Sequence, residues 1–503
     1  MTSTVIHDAR QIGQNRLTFH ADRHPRLNAL QLQQIETVRA EILRARPTLD
    51  TVPPFGTLCT RGFEDLPSLV IEDHSAIQLA MAGGANQNLS YRAAMLARAG
   101  DLLVVHGQRD KNFERYCRER VGLGSIGVSA IDITDPTVSL ASAALADGHL
   151  MAHAISVAQS AGGLNILPYM ATGGIWRLAA EIASAAQKPV RIAGPGPNLM
   201  RAVNDKLWFA RWASRLLRRD AVPHARDTHG MGALVGHLRR FMTQHRKVAI
   251  KLSHSAASMG NIVLESSALN NMTAAEIAEH LKQRMEQRGW LDPFPLQVTA
   301  WEGPVIASPS AQLWIPLPAD GPPIIEGIFD QLTIGEIARF AGGMPSELGE
   351  SIKAEMAHEA AMLGRLFQSL GYFGRCSFDA LVIGECEAGG ELHWVECNGR
   401  WGGISIPLTL ANRLVGDWRD HGFLVFSHHD PSLAEIGVNQ FVDRYDHVLL
   451  RAGEENGAVL LAPGTLRHGR IDMLILAQDQ PGALAIADEF MGAGEDPEIR
   501  NTP

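Results

Sequence analysis

Glu396, Asn398 and Arg400 stand at alternate positions of "HWVECNGRWGG", residues 393–403. Side chains two apart on a strand share a face, so Glu396 and Asn398 point the same way. Asp379 lies in "CSFDALVI", which reads as the neighbouring strand of a hairpin, within reach of both. Two carboxylates and an amide oxygen form a hard-oxygen set suited to Mg²⁺. That ion typically takes one or two carboxylates and keeps positions for phosphate oxygens. Arg400 adds a fixed positive charge beside such phosphates. Taken alone, a Glu-x-Asn pair reads more simply as a solvated strand face.

A second feature is "KLSHSAASMGN", residues 251–261, where Lys251 ends a strand and a loop of small residues follows. Such a loop can bring backbone N–H groups and the hydroxyls of Ser253, Ser255 and Ser258 to phosphate. Gly260 is expected to take a conformation that other residues avoid. The loop lacks the GxxxxGK[ST] spacing of a Walker A loop. Lys206, in "NDK", opens a helix whose N-terminus is already electropositive. Either lysine by itself reads as solvated.

The elements that must position these residues are legible in outline. "LNALQLQQIETVRAEILRA" has helical apolar spacing, and the prolines of "PTLDTVPPFG" end it. "DLLVVHG", "GVSAIDI" and "LNILPYM" read as strands alternating with Ala-rich helices such as "GIWRLAAEIASAAQ", which predicts a parallel sheet. "GPGPN" (194–198) marks a boundary. Asn204 or Asp205 then caps a helix with an expected apolar face of Leu207, Ala210, Ala213, Leu216 and Leu217. "KVAIKLS", "PFPLQVTAW" and "AQLWIPL" read as strands, and residues 273–289 as a helix with a Thr cap. "ELGESIKAEMAHEAAMLGRLFQSLG" is a long amphipathic helix stopped by Gly371. "CSFDALVI" and "ELHWVECN" form a hairpin around an acidic, Gly-rich loop at 384–391. The expected division is a partly helical region 1–95, an α/β domain 96–195, two further units 196–295 and 296–415, and an α/β region 416–503 without a legible motif.

With 503 residues the chain is too long for one ordinary core. Its net charge of −9 argues against a broad nucleic-acid binder while leaving local basic pockets open. No apolar run reaches membrane-spanning length, and "MTSTVIHDARQIGQNRL" has no secretory h-region. Five cysteines without a CxxC pair read as free thiols. A cytoplasmic protein is expected, with no nucleic-acid or membrane partner, and self-association into a homo-oligomer is compatible with the sequence. The 20 histidines show no zinc spacing, and no GxSxG elbow occurs.

Taken together and in this order, Lys206, Lys251 with its loop, Asp379, Glu396, Asn398 and Arg400 resemble the ATP-grasp superfamily. "KLSHSAASMGN" is similar to the Lys-x-Ser loop of D-alanine–D-alanine ligases, "ECNGR" to the family's E-[IVC]-N-x-R segment, and "GYFGRCSFDALV" to its Gly-x-x-Gly entry to the Asp strand. The resemblance covers roughly residues 196–415, and the α/β unit before it looks like a pre-ATP-grasp domain. With "SPSAQLWIP" and "IFDQ" in between, the pairing is most similar to the pheganomycin-type peptide ligases. Two features depart from the pattern: alanines at 256 and 257 where many relatives have glycine, and a single acid, Glu302, in "QVTAWEGP".

The resemblance implies an α/β fold with a pre-ATP-grasp domain and an ATP-grasp core of two α+β subdomains clamping ATP. It implies an ADP-forming carboxylate–amine ligase acting through an acyl phosphate, on amino-acid or peptide substrates. Lys206 and Lys251 would neutralise phosphate charge, and Asp379, Glu396 and Asn398 would hold Mg²⁺. Arg400 would stabilise the transferring phosphoryl group. The hinge at Ala300 and Trp301 would take adenine through its backbone, with Glu302 on the ribose. Gln331 would be a further polar contact, and Arg375 would either face substrate or cap its strand. A thiol or hydroxyl acceptor, or a non-catalytic nucleotide binder with the same fold, are the rival readings.

Overall fold

In the computed structural model the described residues are 17–49, 55–77, 84–255, 260–335, 339–384 and 390–491. Ser258 and Cys386 lie outside them. Three sheets organise these residues, and the class is the expected α/β.

The first sheet is parallel throughout, in the order β1-β6-β5-β2-β3-β4. Its strands are β1 Cys59–Arg61, β2 Ser68–Ile71, β3 Leu102–His106, β4 Gly127–Ile131, β5 Leu164–Pro168 and β6 Val190–Ile192. β2 and β5 are buried along their whole length, as strands covered on both faces must be. The expected boundary at 96 falls inside this unit. "CTR" and "SLVI" are three- and four-residue strands, too short for periodicity to separate them from loop.

The second sheet is antiparallel in the order β7-β10-β8-β9, formed by β7 Ala225–Thr228, β8 Lys247–Leu252, β9 Asn261–Glu265 and β10 Leu296–Ala300. Helices Met231–Met242 and Ala274–Gln287 pack on it, burying Leu234, Leu238, Ile277 and Leu281 in a small separate core. Thr273 caps the second helix in a capping box with Glu276.

The third sheet holds β11 Val305–Ala307, β12 Pro309–Ile315, β13 Ile324–Ile334, β14 Arg339–Pro345, β15 Gly374–Ile383, β16 Glu391–Asn398, β17 Gly422–His429, β18 Gly457–Leu460 and β19 Arg470–Ala477. β14 pairs with β17 at Gly342 and Gly343, so β17, β18 and β19 continue this sheet. Gly342 is required there: a Cβ on it would lie 2.1 Å from the Val425 carbonyl oxygen.

Helix Lys206–Leu216 buries Trp208, Phe209, Trp212, Ala213 and Leu216, a face rotated from the one expected at Leu207 and Ala210. The aromatics decide it. Phe209 stacks on Phe378 at 5.9 Å and Trp208 meets Phe367 at 5.9 Å. Fully burying a side chain of this size contributes roughly 1.5–3 kcal/mol, more than an alanine can offer. The same rotation carries Lys206 inward, where it is 7% exposed. Asp205, not Asn204, is the cap, accepting from the N–H groups of Leu207 and Trp208.

Among the described residues no helix is long and apolar enough to cross a membrane. Cys59, Cys117, Cys376 and Cys397 are free and buried.

Candidate active site

The β15–β16 hairpin has an irregularity that the alternation of Glu396, Asn398 and Arg400 does not reveal. Asp379 pairs with Glu396, but the next residue, Ala380, pairs with Trp394, so Val395 is an extra residue. Such a bulge reverses which side chains face the core. Trp394 is therefore fully buried against Phe378, at 6.1 Å edge to face, and donates to Glu359 at 2.7 Å. Past the bulge, Cys397 takes the core side while Glu396 and Asn398 turn to the opposite face with Ser377 and Asp379.

On that face Asp379 accepts from Ser310 at 2.6 Å and from the Asn398 amide at 2.8 Å. Gln331 also bonds to Asp379, and Gln312 donates to Ser310 at 2.9 Å. Burial pushes the Asp379 carboxyl up to about 6, and the Glu396 charge opposite adds to this. Burial would raise Glu396 as well. Lys206, Lys251 and Arg400 outweigh it and hold Glu396 below the usual carboxylate range.

Both lysines reach this cluster from other parts of the chain. Lys206 Nζ lies 2.6 Å from Glu396 Oε2 and donates to the Ser255 carbonyl at 2.6 Å. Lys251 is the penultimate residue of β8, opposite Gln297, half-buried, with its ammonium 6.0 Å from the Trp301 ring centre. Burial pulls it down to about 8, against the opposing pull of Glu396. Arg400 lies just beyond β16 and folds back. It donates to Asn398 Oδ1 at 2.7 Å, to the Trp401 carbonyl at 3.0 Å and to the Tyr169 hydroxyl at 2.8 Å.

Other nominated residues are placed differently from expectation. The Ala300 and Trp301 N–H groups already donate to the carbonyls of His224 and Lys247, at 2.9 and 3.1 Å, so the sheet uses them. Glu302 pairs with His393 at 2.7 Å and holds that imidazole above its ordinary range. Ser253 donates to the Pro295 carbonyl at 3.0 Å and Ser255 to the Leu252 carbonyl at 3.2 Å. Arg375 is buried, ion-paired with Glu326, bonded to Thr409 at 2.9 Å and stacked over Trp401 at 4.8 Å. It neither faces a cleft nor caps the strand.

Gly260 is not in the left-handed region. Its lack of a side chain matters for a different reason. A Cβ there would lie 2.0 Å from Ser255 Oγ and 2.3 Å from Ser255 Cβ. Because Ser255 receives the Lys206 ammonium, Gly260→Ala should displace Lys206 and weaken binding of an ATP analogue about tenfold, about 1.4 kcal/mol. Adding Ser255→Gly removes both clashing atoms and should restore much of that loss. Calorimetry on the single and double variants checks this. Equal affinity for Gly260→Ala and the parent would show that the turn does not hold Lys206.

Reasoning from sequence missed Ser310, Gln312, Tyr169 and His393. Ser308, just before β12, and Ser310 and Gln312 within it alternate, a period-two polar signal that was available. Tyr169 immediately follows a parallel strand, where α/β sheets place ligand-facing groups. Among the described residues no three His, Cys, Asp or Glu side chains are grouped to hold a metal. The oxygen set here is two carboxylates and an amide. It fits a divalent ion that keeps other ligands, and the Lys206 ammonium already sits on Glu396 as a cation.

Residues 90–184 match the family described as Pre ATP-grasp domain, so a pre-ATP-grasp domain is present. No curated protein sequence matches the chain. Among solved structures the chain is similar to N5-carboxyaminoimidazole synthetase from Staphylococcus aureus complexed with ADP, at 10% identity over 86% of this chain and 98% of that one, with a TM-score of 0.49. It is similar to N5-carboxyaminoimidazole ribonucleotide synthetase from Thermus thermophilus at 12% identity, covering 82% and 98%, with a TM-score of 0.48. A biotin carboxylase–ATP analogue complex from Campylobacter jejuni gives 13% identity, 86% and 90% coverage and a TM-score of 0.48.

Proposed function

We propose that this chain is an ATP-dependent carboxylate–amine ligase of the ATP-grasp type, joining amino-acid or peptide substrates through an acyl phosphate. The observation that carries the reading is the meeting of Lys206, Lys251 and the Asp379–Glu396–Asn398–Arg400 set. They come from three distant chain segments and form one electrostatic cluster. The sequence order of these residues and the pre-ATP-grasp segment before them support the same reading.

In this reading ATP lies between the β7–β10 unit and the β11–β19 sheet. A substrate carboxylate attacks the γ-phosphorus and ADP leaves. The amine then attacks the acyl carbon, and phosphate departs with one oxygen of the original carboxylate. Asp379 and Glu396, with the Asn398 oxygen, would hold Mg²⁺, which when bound supplies charge neutralisation on the phosphates. Lys206 and Lys251 neutralise phosphate charge, and Arg400 stabilises the transferring group. Residues 253–261, of which 256–259 lie outside the described residues, would close over the phosphates and exclude water, which would hydrolyse the acyl phosphate. Glu302 contacts the ribose once His393 gives way.

The direct test is a screen of carboxylates and amines for ADP release with mass detection of products. ADP release that needs both a carboxylate and an amine supports ligation. Release that needs a thiol or hydroxyl instead supports the rival acceptor, and nucleotide binding without any release supports a non-catalytic binder.

Lys251 gives a prediction with a defined pH window. Phosphate binds its charged form, and its ammonium is pulled down to about 8. Affinity for an ATP analogue should therefore be full below about 8 and fall as pH rises through it, approaching tenfold per unit. Lys251→Arg, charged throughout, should bind with a flat profile between pH 7 and 9. Lys251→Ala should bind about tenfold to hundredfold more weakly at pH 7, matching the roughly 1.5–3 kcal/mol of a charge-assisted hydrogen bond. Equal affinity for Lys251→Ala and the parent would return this lysine to a structural role.

A further inference from the structure

A cleft of about 290 Å³ opens at the end of β3, and the chemistry above makes no use of it. His106 lines it from the end of β3, Asp110 from the turn that follows, Tyr91 from the preceding helical segment and Asp132 from just past β4. Gly464 and Arg467 close it from the C-terminal segment.

From β2 the chain runs outward through β3 and β4, then returns to the other side of β2 for β5 and β6. The order therefore reverses between β2 and β5, and ligands of open parallel sheets bind beyond the strand ends at such a point. His74 and Tyr169, just past the ends of those two strands, have ring centres 4.2 Å apart. The cleft lies at the end of the next strand.

Its walls are preset. The Tyr91 hydroxyl donates to Glu114 at 3.0 Å and accepts from the Asp110 N–H at 2.6 Å, which fixes the turn. Gly464 runs so close to Asn88 that a Cβ would lie 2.4 Å from its carbonyl oxygen. Polar groups nevertheless go unused. His106 Nδ1, in the lining, is buried without a partner among the described residues, while its Nε2 meets the Ile133 carbonyl at 3.4 Å. Buried polar atoms without partners are few in native proteins, and a ligand would supply the one that His106 lacks. Asp132 and Arg467 carry opposite charges and have no ion-pair partner among the described residues.

We propose that this cleft binds a small zwitterion the size of a free amino acid. Its ammonium group meets Asp132 and Asp110, and its carboxylate meets Arg467. The volume sits at the low end of ligand pockets, about 300–1,000 Å³, so one residue fits and a long peptide does not. Arg92, adjacent to Tyr91, lies 5.8 Å over the Tyr169 ring, and Arg400 lies 5.4 Å over it. The helical segment that lines the cleft thus also reaches Tyr169, to which Arg400 bonds. Only the naming of this ligand as a substrate rests on the ligase reading; its binding does not.

The test uses the full chain, with each proteinogenic L-amino acid as probe in saturation-transfer NMR and calorimetry. At least one should bind. Its N-acetyl and carboxamide derivatives should each bind at least tenfold more weakly, as should the free amino acid to Arg467→Gln and to Asp132→Asn. Both variants should keep parental thermal stability and ATP-analogue affinity. Absence of binding by any probe, or binding unchanged in both variants, would overturn the proposal. An amino acid that binds through these residues without stimulating ADP release would support the cleft and count against the ligase reading.

Discussion

Glu396→Gln leaves a folded protein with at least about a hundredfold lower kcat, the scale on which loss of one preorganised electrostatic group acts. Glu396 is the hub of the cluster: it faces Asp379 across the hairpin, and Lys206 lies 2.6 Å from its Oε2. Glutamine retains the shape and one hydrogen-bond acceptor for Lys206, so the hairpin should persist. It cannot supply the second negative charge that a divalent ion needs beside Asp379. Removing that charge also relieves Asp379, whose carboxyl burial and Glu396 push up to about 6. In the variant the remaining carboxylate should lose its proton at lower pH. Circular dichroism should match the parent while ATP turnover collapses. A folded Glu396→Gln protein with near-parental turnover would remove the metal assignment.

Arg400→Leu should lower kcat by a similar factor, with a smaller change in nucleotide affinity. The guanidinium uses its fork to hold Asn398 Oδ1 and the Tyr169 hydroxyl together, and so ties the β15–β16 hairpin to the end of β5 in the parallel sheet. Lysine keeps the charge but not the fork. Arg400→Lys should therefore recover part of the nucleotide affinity and little of kcat. Tyr169→Phe, which removes only the hydroxyl, separates positioning from charge: kcat should fall a few-fold while ATP-analogue affinity stays at the parental value. Steady-state kinetics beside calorimetry resolves the two effects. An Arg400→Leu enzyme with unchanged kcat would place the transferring phosphoryl elsewhere.

The parts of this site that could be read from the chain were those carried by local pattern. The Asp379 and Glu396 strands, the Thr273 cap and the lysine near the end of β8 each follow from spacing within about ten residues. What escaped depends on contacts far apart in sequence. The bulge at Val395 follows from how β15 pairs with β16, and without it Trp394 would share a face with Glu396. The rotation of helix Lys206–Leu216 was set by Phe367 and Phe378, more than 150 residues away. Glu302 was readable as an acid after a strand, but its pairing with His393 required the two sheets to meet. β7, β9, β13 and β14 were not distinguished: β7 has four residues, β9 has three apolar residues in a row, and glycines interrupt β13 and β14.

The central claim is that a carboxylate oxygen attacks the γ-phosphorus of ATP. The most direct measurement labels the carboxylate of the active substrate with ¹⁸O and follows the label by mass spectrometry of the released phosphate. Acyl-phosphate chemistry predicts ADP and phosphate in equal amounts, with one labelled oxygen in each phosphate, and amide product only when amine is present. Release of AMP and pyrophosphate, or phosphate without label, would contradict it.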